Sequence, residues 1–177
     1  NGVPLDGHFA TVHNNEETVC EATQCATCDE AETCDLSDVD DLISKQIEYN
    51  TAISNEGLTN GWGTEVGRIL MESGSGSVST RASARAAAGS DARMNGCSLP
   101  VIIVSGSGNQ GITASIPVAV YAQEMGASEE LLLKAVALSN LVTIHQKAGI
   151  GRLSAYCGAI SAGCGAGAGI AYLLGGD

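Results

Sequence analysis

Two cysteines near the C-terminus stand in the most unusual stretch of this 177-residue chain. Cys157 and Cys164 lie seven residues apart in a run made almost entirely of glycine, alanine and serine. Small residues allow another backbone or a bulky cofactor to come close, and thiolates are natural ligands of soft metals and iron–sulfur clusters. Cys97 follows a predicted helix and opens a glycine turn, which makes it a candidate third ligand.

The spacing of Cys157 and Cys164 sets a structural condition. In one straight helix they would lie on roughly the same face, about 10 Å apart along the axis, which is long for two ligands of one cluster. If both residues bind one cluster, we expect the helix to be interrupted at the glycines around them. The alternative is an unbroken helix in which both cysteines are small buried residues without a metal.

A glycine loop, Ser-Gly-Ser-Gly-Asn-Gln-Gly at 105–111, lies between a β-branched run and a predicted helix. Its backbone N–H groups and the following helix N-terminus favour an anion such as a carboxylate. The loop lacks the ending of a P-loop and the glycine spacing of a dinucleotide motif, and a plain flexible turn is the alternative. The residues predicted to bind substrate are Ser105, Ser107, Asn109, Gln110 and Gly111.

Five ionisable residues could complete such a site. His145 could orient a substrate or move protons, although a lone histidine near a helix end more often has a structural role. Lys147 and Arg152 could bind a carboxylate or be solvated. Asp91 and Arg93 could pair with each other or contact the substrate. We therefore take His145, Lys147 and Arg152 as the candidate catalytic residues.

Four further cysteines, of the chain's seven, occupy the pattern C-x4-C-x2-C-x5-C near the N-terminus, at Cys20, Cys25, Cys28 and Cys34. An odd number of cysteines favours reduced thiols or metal ligation over a disulfide framework. The spacing of the first three cysteines is similar to a plant-type ferredoxin loop, but the fourth cysteine lies too near, and a paired zinc knuckle would be spaced differently. We interpret residues 1–35 as an irregular acidic arm with incidental thiols, with a second metal site as the alternative.

Composition limits the classes of function. The net charge is −12 and basic residues are scattered, which argues against a nucleic-acid partner. No targeting signal opens the chain, so a cytoplasmic location is expected. Residues 154–174 carry no charge, but their glycine and alanine content favours a tightly packed helix over a membrane span. Both ends of the chain suggest that it was cut from a longer protein.

The pattern of residues predicts a mainly α fold, with Gly/Ala-rich buried helices and a short strand or extended buried segment near 99–105. Val66, Ile69 and Leu70 are expected to face inward, and Pro117 should be tolerated only in the first turn or two of its helix. The fifth helix is apolar on nearly all sides, so its polar residues need buried partners or a ligand; these are Ser139, Asn140, Thr143 and His145. Helices are predicted over 37–54, 64–72, 80–93, 113–125, 128–147 and 152–174.

Four stretches carry a family resemblance: Ala88–Cys97, Val104–Ile112, Ser139–Lys147 and Gly151–Gly158. In this order they resemble the L-cysteine desulfidase family, which is related to the alpha domain of iron–sulfur L-serine dehydratases. The resemblance covers about residues 36–177, which we take as one helical domain. Family members are longer, with an N-terminal portion carrying a further functional cysteine and a C-terminal helical tail.

The resemblance implies a [4Fe-4S] cluster and the conversion of L-cysteine to pyruvate, ammonia and sulfide without pyridoxal phosphate. In such enzymes three cysteines hold the cluster and one open iron acts as a Lewis acid. Cys157 and Cys164 match the closely spaced ligand pair, and Cys97 is the substitute for the third. The glycine loop would hold the carboxylate of a small amino-acid substrate.

Three other functions stay open. One is L-serine dehydratase activity, because serine also presents a β leaving group. Another is a non-catalytic assembly domain, in which the Gly/Ala helix packs between copies in a homo-oligomer. The third is a metal-binding or redox module built on Cys20–Cys34.

Overall fold

The computed structural model describes residues 36–150 and 157–176, and these residues form helices and no strand. The mainly α fold is thus confirmed. The predicted arm at 1–35, with its four cysteines, and Arg152 lie outside the described residues. The helices are α1 (Asp40–Thr59), α2 (Val66–Ser73), α3 (Val78–Met94), α4 (Gly108–Met125), α5 (Glu129–Ile150) and α6 (Gly158–Leu173).

Local signals account for most of the helix ends. Ser77 caps α3 by accepting a hydrogen bond from the backbone N–H of Thr80. Ser128 accepts one from the N–H of Leu131 at the start of α5. Gly126 ends α4 in the left-handed conformation, with φ of 66°, which glycine adopts without strain at a helix C-terminus.

Two glycines serve close helix packing. Helix α1 continues past its predicted end at 54 to Thr59; Gly57 is buried within it, and a Cβ atom there would overlap the carbonyl of Ala88. In α2, Val66 and Ile69 are 42% and 54% exposed, so the predicted inward face is wrong. The one buried residue of α2 is Gly67, which lies against the backbone of α3.

Around the glycine loop the structure also differs from expectation. Helix α4 begins at Gly108 rather than near 113, so it includes the second half of the loop, and Pro117 lies in its third turn. The segment 99–105 forms no strand, and Ile103 is 52% exposed. Asn50 of α1 takes the place of a neighbouring strand: its side chain accepts from the N–H of Ile102 and donates to the Ile102 carbonyl.

Helix α4 lies at the centre and packs against α1, α3, α5 and α6. Two apolar clusters surround it. One joins α1, α4, α5 and α6, and includes Ile43, Val118 and Leu173. The other joins α1, α3 and α4, and includes Ile53 and Ile112. Many of the buried side chains are alanines, which lets the helices approach one another closely.

The glycines of α6 reveal the directions of its neighbours. Gly158 lies against Gln110 and Gly169 against Val118, so α6 runs parallel to α4. Gly165 lies against Thr143 and Gly169 against Ala135, so α6 runs antiparallel to α5. The N-termini of α4 and α6 and the C-terminus of α5 therefore lie together. We call this region the α4–α6 end.

Candidate functional site

The glycine loop at the α4–α6 end is fixed by its own side chains. Ser107 caps α4 by accepting from the N–H of Gln110 at 3.3 Å. Gln110 is fully buried; its Oε1 accepts from the Ser105 N–H at 3.0 Å and its Nε2 donates to the Ser105 hydroxyl at 3.2 Å. The Ser107 hydroxyl and the Gln110 amide thus hold the loop in shape, whereas the sequence had suggested that they bind substrate directly.

The first turn of α4 keeps donors for a ligand. The N–H groups of Gly108 and Asn109 belong to the helix start, where geometry leaves them without an intrahelical acceptor. Gly111, the last predicted binding residue, is already inside the helix: its N–H bonds the Ser107 carbonyl, and a Cβ atom there would overlap the Ile102 carbonyl. Gly111 therefore lets the extended segment pack onto α4.

Two charged residues of α3 support the loops near this end. Arg93 donates to the Asn109 side-chain oxygen at 3.1 Å and crowds Gly108. Asp91 accepts from the backbone N–H of Val66 at 2.8 Å and so caps α2. The two side chains thus have separate structural partners instead of pairing with each other.

Helix α6 begins beside the start of α4. Cys157 occupies its N-cap position, is exposed, and makes no side-chain capping bond. A Cβ atom on Gly158 would lie 3.5 Å from the Gln110 side chain. Two parallel helices therefore start side by side. The partial positive charges of their N-termini add at this point and favour an anion.

Lys147 is the buried cation of the same end. It follows Ser139 and Thr143 at four-residue intervals, and these two residues contact Gly165 of α6. Because α5 and α6 are antiparallel, the next step along this row brings Lys147 level with the first turn of α6. Lys147 is only 8% exposed, and it has no hydrogen-bond or ion-pair partner among the described residues. Its nitrogen is not one of the fully buried atoms without a partner.

His145 lies close to Lys147 in sequence but not on the same side of α5. Its side chain is exposed, and two residues along a helix correspond to a rotation of about 200°. The prediction that His145 needs a buried partner is therefore wrong. Its proposed role in proton transfer stays a prediction.

The buried polar residues of α5 do have partners, as predicted. Asn140 exchanges two hydrogen bonds with Gln46, at 3.1 and 2.6 Å. Ser139 donates to the Ala114 carbonyl, and Thr143 donates to the Ser139 carbonyl, both at 2.7 Å.

The sequence analysis missed the α1 side of this layer. Gln46, Asn50 and Ser54 are polar at intervals of four residues, so they share one face of α1, and all three are buried. Asn50 also donates to the Ser115 hydroxyl at 3.1 Å. A polar row on a helix between apolar residues is the signal that could have revealed it.

The three candidate cluster ligands are not gathered in the described part of the chain. Helix α6 is unbroken from Gly158 past Cys164, so the interruption expected for two ligands of one cluster is absent. Both Cys157 and Cys164 are exposed, rather than buried as the metal-free alternative required, and Cys97 packs partly buried against an apolar cluster. Over residues 36–150 and 157–176, no three His, Cys, Asp or Glu side chains are placed to hold a metal ion.

The composition of residues 154–174 predicted a tightly packed helix rather than a membrane span. Within the described ranges, no helix is both long and apolar enough to cross a bilayer. Helix α6 instead packs one side against α4 and α5.

Comparison with known families identifies the relatives of this fold. The family model of the serine dehydratase alpha chain matches residues 10–177. The chain belongs to the serine dehydratase alpha chain family. The match begins inside the segment 1–35, which the sequence analysis had left outside the family resemblance.

Curated relatives of this family member carry the name UPF0597 protein. One from Desulfitobacterium hafniense is 59% identical over 146 residues, which is 82% of this chain and 34% of the relative. One from Lachnoclostridium phytofermentans is 54% identical over 149 residues, covering 84% of this chain and 36% of the relative. The chain thus spans about a third of the length of these relatives. No solved structure matches it.

Proposed function

We propose that this chain supplies the carboxylate-binding part of a lyase that converts a small β-substituted L-amino acid to pyruvate and ammonia. The observation that carries the proposal is the α4–α6 end, where two helix N-termini start side by side next to Lys147, which is 8% exposed and has no partner among the described residues. Its ammonium is therefore available to neutralise a substrate carboxylate.

In this proposal the carboxylate lies against the first turns of α4 and α6. The N–H groups of Gly108 and Asn109 donate to its oxygens, and the Lys147 ammonium neutralises its charge. The Gln110–Ser105 hydrogen bonds keep the loop in place before substrate arrives, so little reorganisation accompanies binding. Orienting the α-carbon in this way is a major contribution to catalysis.

The proposed reaction is a β-elimination followed by hydrolysis. The α-proton is removed and the β-substituent leaves, which forms aminoacrylate; its imine tautomer then takes up water and releases pyruvate and ammonia. From L-serine the β-substituent leaves with a proton as water, and from L-cysteine as hydrogen sulfide. His145, exposed near the α4–α6 end, is the candidate to carry a proton to or from solvent.

Two substrates belong to this proposal. The four sequence motifs favour L-cysteine, and membership of the serine dehydratase alpha chain family favours L-serine. The carboxylate and amino group are common to both amino acids. The α4–α6 end therefore fits either of them, and the assay has to distinguish them.

An iron–sulfur cluster is implied by the resemblance, and it would supply Lewis-acid chemistry at the leaving group. The described cysteines do not fit a three-ligand set, so we assign no step to the cluster. Cys157 is exposed at the N-cap of α6, beside the start of α4.

The test is an anaerobic assay of pyruvate release from L-serine and from L-cysteine, after incubation with iron and sulfide. It is performed on this chain and on the longer D. hafniense relative. We expect pyruvate from at least one substrate in the longer protein. No pyruvate from either substrate in both proteins would contradict the proposal.

A lysine variant tests the site itself. In whichever protein is active, replacement of the lysine corresponding to Lys147 by methionine should raise KM at least about tenfold, equivalent to about 1.4 kcal/mol. The matched control is Lys45→Met, which removes an exposed lysine of α1 and should leave KM unchanged. Equal KM values for the two variants would remove Lys147 from the site.

A further inference from the structure

Helix α6 is apolar on both sides, and the described residues cover only one of them. No residue of Gly158–Leu173 is charged. The inner side, with Ala162, Gly165, Ala166 and Gly169, is buried against α4 and α5. The outer side is exposed over its whole length, which is unusual because a helix that is apolar all round normally lies in a protein interior.

The exposed outer residues form one continuous stripe. They recur at three- and four-residue intervals from Ile160, so they fall within about 100° of the helix circumference. Ile160 and Leu174, at the two ends of the stripe, are 71% and 63% exposed. We call this surface the outer α6 face, and it consists of Ile160, Gly163, Cys164, Gly167, Ala171 and Leu174.

We propose that the outer α6 face is the docking surface for an apolar helix from the part of the longer protein that lies outside this chain. The chain covers only 34–36% of the relatives' length. About two thirds of such a protein therefore lies outside the matched region and is the source of the docked helix. A contiguous apolar stripe on a folded domain marks an interaction site. The net charge of −12 disfavours a second copy as the occupant.

The shape of the outer α6 face fits a helix. From Ile160 to Leu174 it extends about 21 Å, or roughly four turns. Nothing lies within 4 Å of a Cβ atom placed on Gly163 or Gly167, so these two glycines leave a shallow groove between Ile160 and Ala171. Leucine or isoleucine side chains of a partner helix would fill that groove, as ridges fill grooves between packed helices.

The docked helix would also cover Cys164. Its thiol is exposed in this chain and lies between Ile160 and Gly167 on the stripe. The chemical reactivity of Cys164 therefore reports whether the outer α6 face is covered.

The test uses this chain co-expressed with the remaining two thirds of the D. hafniense relative, so that each piece can fold on the other. We expect the two to purify as a 1:1 complex. The variant Ala171→Glu, which places a charge on the exposed stripe, should weaken the complex at least about tenfold, equivalent to about 1.4 kcal/mol. The control Ile69→Glu changes an apolar residue of α2 that is 54% exposed and should leave the complex intact.

Thiol labelling gives an independent measurement. A maleimide should modify Cys164 rapidly in the chain alone and at least about tenfold more slowly in the complex, while the protein with Ala171→Glu stays reactive. The absence of a complex, or a complex indifferent to Ala171→Glu, would overturn the proposal. Self-association of the chain with protection of Cys164 would also overturn it, since a second copy would then be the occupant.

Discussion

Polar side chains are buried in two regions of this molecule, and the two regions differ in how these groups are satisfied. In the layer where α1 crosses α4 and α5, Gln46 and Asn140 exchange two hydrogen bonds and Asn50 bonds both Ser115 and Ile102. At the α4–α6 end, Lys147 is nearly buried and has no partner among the described residues. The first region has nothing left to bind, whereas the second has donors and charge available.

The difference separates polar groups that stabilise the fold from polar groups that are available to bind a ligand. A buried polar group with a partner helps to specify the packing, whereas a charged group without a partner stays available to a ligand. We therefore expect mutations in the polar layer to change stability and mutations at the α4–α6 end to change binding. The following predictions are arranged from the largest expected effect to the smallest.

The packed side of α6 should tolerate no added atoms. In Gly165→Ala the new methyl group would overlap the hydroxyl of Thr143 and the Ser139 carbonyl, so the free energy of unfolding should fall by about 3 kcal/mol. The control Gly167→Ala, two residues along the same helix, meets open space and should raise it by about 0.5–1 kcal/mol. Urea unfolding followed by circular dichroism measures both values, and equal effects would contradict the packing.

The amide pair of the polar layer should show strong coupling. Asn140→Leu leaves the buried Gln46 amide without its partner and should cost about 2 kcal/mol of unfolding free energy. The double variant Gln46→Leu/Asn140→Leu should recover much of that loss, because no unpaired amide is left. A double-mutant cycle with additive losses would show that the pair is not coupled.

Lys147 should behave in the opposite way from the amide pair. Lys147→Met removes an ammonium that has no partner among the described residues, so the free energy of unfolding should stay within about 0.5 kcal/mol of the wild type. Calorimetric titration with L-serine and L-cysteine should show an affinity at least about tenfold lower, equivalent to about 1.4 kcal/mol. A large loss of stability would instead show that Lys147 has a structural role.

Replacing Ser107 should have a small effect on stability and a smaller one on amino-acid binding. Ser107→Ala removes the cap of α4 and should lower the free energy of unfolding by about 1 kcal/mol, whereas Ser107→Gly should cost only a few tenths. Amino-acid binding should weaken only slightly in both variants, because the N–H groups that we assign to the carboxylate belong to Gly108 and Asn109. Loss of binding without loss of stability would make the Ser107 hydroxyl a direct ligand.

The sequence predicted the helices more reliably than their contacts. A glycine cap such as Gly126 acts locally, so a sequence can reveal it. The end of α1 and the inward face of α2 were predicted wrongly, because both depend on how Gly57 and Gly67 pack against α3. The outward position of Ile69 follows from the same packing.

For the candidate site, the sequence identified the loop at 105–111 and Lys147, but not how they are arranged. The parallel start of α4 and α6 is a tertiary feature with no local signal. The inward orientation of Gln110 also depends on tertiary packing, since its side chain lies against Gly158 of α6. The helix between Cys157 and Cys164 is unbroken, so the interruption expected if both bind one cluster is absent, and glycine content alone did not decide between the two alternatives.

Backbone NMR during titration with L-serine or L-cysteine tests the central claim most directly, because it reports where a carboxylate binds. We predict that the amide signals of Gly108, Asn109 and Gly158 shift first and saturate together, while those of Asn50 and Asn140 in the polar layer stay in place. Saturable shifts centred on the polar layer, or none at Gly108 and Asn109 with either amino acid, would contradict the assignment of the α4–α6 end as the carboxylate site.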